Sequence, residues 1–150
     1  MADTTHTLRG QCQCGGVQVE VTSIKQTVEA CHCSMCRRLN GGGPLFSLAG
    51  AKPDDLKVTG ADHVSIYHSS EWAERAFCDT CGATLWYHLL PGEGHFSLSA
   101  GLFDLPSGYA LNEQIFIDEK PTWYDLAQDT PKKTGAEVFA EAKEAGFTFD

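Results

Sequence analysis

Seven cysteines, none of them isolated, constrain this chain more than any other feature. Cys12 and Cys14 form C-x-C, Cys31, Cys33 and Cys36 form C-x-C-x-x-C, and Cys78 and Cys81 form C-x-x-C with a glycine after it. Seven thiols divide into four and three, and zinc uses those numbers differently. Four thiolates close a structural site, whereas three leave a coordination position open to water or substrate. Three disulfides and a spare thiol would also satisfy the count. Spacing as short as C-x-C does not bridge without strain, however. The stretch MADTTHTLRG also lacks the apolar core of a secretory signal. Clustered thiols in a reducing compartment hold metal more often than they pair, so the expectation is a cytoplasmic zinc protein.

The 150 residues are about one domain's worth, and a single zinc-binding domain over residues 1–150 is expected. No apolar run approaches the ~20 residues of a membrane span. Formal net charge is −9, and two zinc ions on seven thiolates would leave the chain more acidic still. The basic clusters are Arg37–Arg38 and Lys132–Lys133. Such a chain repels phosphate backbones, so neither nucleic acid nor membrane is an expected partner.

Hydrophobic alternation predicts short strands. Val17 to Val21 alternates after the turn signal Gly15–Gly16, and Val28 to Ala30 leads into the central cysteines. Further strands are expected over Pro44–Ala49, Leu56–Thr59, Asp62–Ser69, His95–Ala100 and Gln114–Asp118. Ala73–Cys78 and Ala83–Leu90 flank the C-x-x-C turn as the arms of a hairpin. Ser34 to Leu39 suits one helical turn ended by Asn40 and Gly41. Gly135 to Ala145 is the one convincing helix, with Val138, Phe139 and Ala142 as its apolar stripe. Many short strands with frequent turn signals indicate a mainly β fold.

In a strand, residues i and i+2 share a face, so Cys12 and Cys14 can aim two sulfurs at one point. A tight C-x-x-C turn presents two more, with Gly82 free to take backbone angles other residues avoid. The two halves together would clamp distant strands through a saturated structural site. A thioredoxin-like redox pair is the alternative for Cys78 and Cys81, but that motif opens a helix and here the flanks read as strands. Cys31, Cys33 and Cys36 fall within six residues and can reach one zinc through a single bend. Their fourth ligand would be water, substrate or one of the histidines at 6, 32, 63, 68, 88 and 95. A histidine would close the site and remove its chemistry. An open zinc can lower the pKa of bound water towards ~7 or hold a thiol as thiolate. Other partitions, such as Cys12, Cys14, Cys31 and Cys33 together, also satisfy the count.

With its three motifs in this order, the chain resembles the glutathione-dependent formaldehyde-activating enzyme family, whose domain also occurs in centromere protein V. The matching elements are G-x-C-x-C-G at Gly10–Gly15, C-H-C-S-M-C-R at Cys31–Arg37 and R-x-F-C-x-x-C-G at Arg75–Gly82. LSAGLFD at Leu98–Asp104 and IFIDEKPTWYDL at Ile115–Leu126 extend the likeness over roughly residues 8–126. The resemblance implies a β-tent fold of short antiparallel strands. It implies a structural zinc on Cys12, Cys14, Cys78 and Cys81, and a catalytic or labile zinc on Cys31, Cys33 and Cys36. It implies a carbon–sulfur lyase that joins glutathione, as possible co-substrate, to formaldehyde, giving S-hydroxymethylglutathione. The tail over 129–150 carries no family motif.

A working mechanism places C–S bond formation or cleavage at the Cys31/Cys33/Cys36 zinc, with a small thiol or thiol adduct as partner. His32 is the nearest acid–base candidate, with an unperturbed pKa of ~6.5. Arg75 is the candidate for a substrate carboxylate, and Arg37 and Arg38 are weaker ones. Trp86, Tyr87 and Phe46 are candidates for a pocket wall, Trp123 for core or for anchoring a lid. The competing classes are a non-catalytic zinc-stabilised binding module and a zinc carrier.

Overall fold

The computed structural model describes residues 6–22, 25–92 and 94–146. Residues 1–5, 23–24, 93 and 147–150, including the ends of the expected domain and tail, lie outside the described residues. In chain order the elements are β1 (Thr7–Gln11), β2 (Gln18–Thr22), β3 (Thr27–Cys31), α1 (Ser34–Leu39), β4 (Leu45–Ala51), β5 (Leu56–Thr59) and β6 (Val64–His68). They continue with β7 (Ala73–Cys78), β8 (Thr84–Leu89), β9 (His95–Ser99), β10 (Ala110–Ile115), β11 (Lys132–Lys133) and α2 (Gly135–Glu144). The fold is mainly β, as expected, with a helix near its C-terminal end. No helix among the described residues is long and apolar enough to cross a membrane.

Two sheets form. One has the order β1-β2-β5, the other β11-β10-β3-β4-β9-β8-β7-β6. Most neighbours are antiparallel, as expected, and β10 adds parallel pairs with both β3 and β11. Strands paired through a tight turn must be antiparallel, whereas parallel pairing needs a long connection. β3 and β10 have most of the large sheet between them in sequence.

The core follows from the alternation. Val19 and Val21 of β2 point inward and are buried, while Gln18 and Glu20 face out. Leu48, Leu85 and Leu98 are fully buried, each contributing about 1.5–3 kcal/mol through loss of its apolar surface from water. Trp86 sits opposite Leu98 across the β8–β9 pair and meets Phe96 edge-on.

Three local expectations need correction. Cys12 and Cys14 are not on a strand; they form the turn between β1 and β2, where Gly15 N donates to Cys12 O at 3.1 Å. The segment expected as a strand from Asp62 begins with a 3-10 turn at Ala61–His63, and the strand starts at Val64. The strand expected over Gln114–Asp118 lies earlier, at Ala110–Ile115. It stops because Phe116 takes φ +54° and a 3-10 turn follows at Ile117–Glu119. A non-glycine residue in the left-handed region cannot continue a strand.

Candidate metal centre

The β1–β2 turn and the β7–β8 turn meet. In the first, Cys12 N donates to Val17 O at 3.0 Å. In the second, Cys78 N donates to Ala83 O at 3.0 Å and Gly82 N to Cys78 O at 2.9 Å, with Gly82 at φ +76°. Cys14 Sγ comes to lie 3.6 Å from Cys12 Sγ and 3.7 Å from Cys78 Sγ. All four sulfurs, of Cys12, Cys14, Cys78 and Cys81, lie within 4.8 Å of one another. Tetrahedral zinc with bonds of about 2.3 Å separates its sulfurs by about 3.8 Å, so the set fits that ion. Val17 N and Gly16 N donate to Cys12 Sγ and Cys14 Sγ at 3.3 and 3.4 Å, dispersing thiolate charge. The Ala83 and Cys14 amides hold the Cys81 thiol down at about 6. Against the Gly16 amide, the neighbouring Cys12 pushes Cys14 up to about 11. Such a set gives up its last protons most readily to a dication.

Cys31, Cys33 and Cys36 form the second cluster, their sulfurs also within 4.8 Å of one another. Cys31 ends β3, Cys33 caps α1 and Cys36 lies one turn along it. Cys36 N donates to Cys33 Sγ at 3.4 Å. No histidine, aspartate or glutamate among the described residues joins this set. The partition mixing Cys12 and Cys14 with Cys31 and Cys33 does not occur. Thiol donation from Cys31 and Cys36 pulls the Cys33 pKa well down, and Cys33 and Cys36 push Cys31 well up.

Arg75 of β7, only 5% exposed, donates from Nη1 to Cys36 Sγ at 3.4 Å. Its guanidinium lies 5.1 Å from the Tyr87 ring centroid. Burial opposes its charge, but the Cys36, Cys33 and Cys31 sulfurs outweigh that and raise its pKa. Arg75 Nε has no protein partner although buried. Tyr87 is held protonated by burial, its phenol pushed up to about 12.

His32 is fully buried and turned away from the sulfurs into a polar chain. Its Nδ1 meets Tyr124 Oη at 2.7 Å and its Nε2 meets Gln114 Oε1 at 2.9 Å. Gln114 Nε2 donates to Thr130 Oγ1 at 3.2 Å, and Thr130 Oγ1 to Pro131 O at 3.0 Å. Burial lowers the His32 pKa, and a neutral ring satisfies every link. Lys120 shapes the loop that carries Tyr124, donating to the carbonyls of Pro121 and Tyr124. Arg37 is spent on His32 O, at 3.0 Å from Nε.

Above the three sulfurs lies a cavity of about 400 Å³. Tyr87 and Arg75 line it, as do Glu29, Glu119, Ser70 and the α2 residues Val138, Phe139 and Ala142. Arg37, Arg38, Trp86, Phe46 and Trp123 do not. Trp86 is core, and Trp123 is 69% exposed. Two contributions to the cavity escaped the sequence. The stripe of α2 was legible, but not the surface it covers. Phe116 lines the cavity from a left-handed backbone that sequence signals reserve for glycine or asparagine.

The family described as glutathione-dependent formaldehyde-activating enzyme matches residues 7–119. The chain belongs to that family. Among the similar proteins is an uncharacterized lyase of Schizosaccharomyces pombe, 31% identical over 86% of this chain and 92% of the relative. Another is a provisionally named glutathione-dependent formaldehyde-activating enzyme of Halomonas elongata, 33% identical over 79% of this chain and 80% of the relative. The crystal structure of a Rhodobacter sphaeroides protein shares the fold. It has a TM-score of 0.56 and 24% identity, covering 67% of this chain and 92% of that one. The formaldehyde-activating family match stops short of β11 and α2, so the helix over the cavity lies beyond it.

Proposed function

We propose that this chain is a zinc-dependent carbon–sulfur lyase acting on a small thiol adduct, of the S-hydroxymethylglutathione synthase type. Cys31, Cys33 and Cys36 would hold the reactive zinc, and Cys12, Cys14, Cys78 and Cys81 the structural one. Family membership and the names of the two relatives support a lyase. The observation that carries the reading is the contrast between the clusters. The three sulfurs line the cavity, and none of the four does.

Zinc bound to the three sulfurs would supply Lewis acidity and one open position. The chain's own residues do the rest. Three thiolates on a dication carry one surplus negative charge, and the Arg75 guanidinium neutralises it. Arg75 lines the cavity beside the three sulfurs, so its charge also stabilises negative charge developing on the substrate. In the cleavage direction R–S–CH₂–OH gives R–SH and H₂C=O. The C–S bond breaks, the pair stays on sulfur, and the hydroxyl proton ends there; synthesis is the reverse. His32 serves as a support for β3 and β10 rather than as the acid or base, because both ring nitrogens are engaged elsewhere.

The test is zinc counting combined with Cys36→Ser. The wild type should carry two zinc ions, one easily chelated, with turnover of thiol adducts lost on chelation. The variant should keep its fold and one zinc and lose turnover. A variant that retains turnover sinks the assignment.

A further inference from the structure

The cavity has two unlike halves. Its floor is the three sulfurs with Arg75. An apolar part of its lining comes from α2, whose Val138, Phe139 and Ala142 line it together with Trp72 and Phe116. The Phe139 ring meets Trp72 edge-on at 6.4 Å and Phe116 edge-on at 5.9 Å between centroids. The wall is anchored. Gly135 N donates to Asp118 Oδ1 at 2.9 Å, and a Cβ on Gly135 would lie 2.9 Å from the Phe116 ring. Lys133 Nζ joins Glu113 at 2.7 Å and Glu141 at 2.9 Å.

The charges of the lining do not suit glutathione. That tripeptide carries two carboxylates and one ammonium. Among the described residues the cavity lining offers one cation, Arg75, whose Nη1 is already on Cys36. Its other charged groups are the carboxylates Glu29 and Glu119. A buried carboxylate without a cation is strongly disfavoured, and two would have to share one engaged guanidinium. An apolar group, by contrast, finds a wall of matching chemistry. The volume of about 400 Å³ lies within the usual range of small-ligand sites.

We propose that the substrate is the formaldehyde adduct of an uncharged, apolar thiol, with α2 as the wall that selects it over glutathione. The proposal rests on reading the three-cysteine cluster as the lyase centre. The reaction is the one already balanced, with R an aryl or alkyl group packed against Phe139.

Two measurements on the zinc-loaded full chain test it. The first is turnover of the hydroxymethyl adducts of phenylmethanethiol and of glutathione, followed by formaldehyde release. The second is calorimetric binding of the two free thiols. The apolar thiol should be favoured about tenfold or more in both, the scale on which apolar pockets discriminate. Phe139→Ala should shrink the preference about tenfold through KM with zinc content unchanged. Ala142→Lys, which adds a cation to the wall, should shift it towards glutathione. Glutathione binding as tightly as phenylmethanethiol, or tighter, overturns the proposal and leaves the lyase reading standing. Turnover of neither adduct, with the apolar thiol still bound preferentially, sinks the lyase reading and retains the selectivity of the wall.

Discussion

Arg75 shows how much one side chain carries. A buried guanidinium is costly unless its charge is met, and here three sulfurs meet it. Replacing it with Met keeps the volume and removes the counter-charge. A charge-assisted hydrogen bond is worth about 1.5–3 kcal/mol, so Arg75→Met should weaken zinc at the three-cysteine cluster by about tenfold to a hundredfold. Competition with a chromophoric chelator measures this, and the four-cysteine site should be unaffected. His32 leads to the opposite expectation. His32→Leu leaves Tyr124 and Gln114 without a buried partner, at roughly 1–3 kcal/mol for each stranded group. Denaturant unfolding should show that loss while kcat and its pH profile stay unchanged. A collapse of kcat at unchanged stability would make His32 catalytic after all.

At the scale of elements, α2 depends on its first turn. Thr134 Oγ1 accepts from Glu137 N at 3.2 Å, and Glu137 Oε1 accepts from Thr134 N at 3.0 Å. Thr134→Ala should cost about 1 kcal/mol of helix stability, seen as faster amide exchange confined to α2. The Thr134 amide holds the Glu137 carboxyl below its ordinary 4.5. A lowered acid stabilises the fold fully above its unfolded pKa and loses that contribution as pH falls through the folded one. Protection of α2 should therefore be constant above about pH 4.5 and decline below it. Most elements were legible because their cause is local. Alternation marks β2 and β9, and glycine marks the turns after Cys14 and Cys81. The misplaced strand before Phe116 was not legible, because its boundary depends on one ring being wedged beneath Gly135. The grouping of the cysteines into a set of four and a set of three was legible from spacing and family likeness together. The cavity at the three-cysteine cluster was not, since its α2 lining follows those cysteines by more than a hundred residues in sequence.

At the scale of the molecule, the four-cysteine cluster ties the small sheet to the large one through two turns. A structural zinc contributes folding free energy directly. Cys78→Ser should accordingly abolish cooperative unfolding, whereas Cys36→Ser should leave a measurable transition. Intact thermal stability in the first variant would refute the structural assignment. The seven sulfurs all precede residue 82, the family match ends at 119, and α2 begins at 135. The cysteines and the α2 part of the apolar lining are thus written in separate, non-overlapping passages of chain. A passage outside the family match can be exchanged or re-edited without disturbing the one that carries the cysteines, so related proteins can keep the same thiol clusters while differing in which molecules they admit to them.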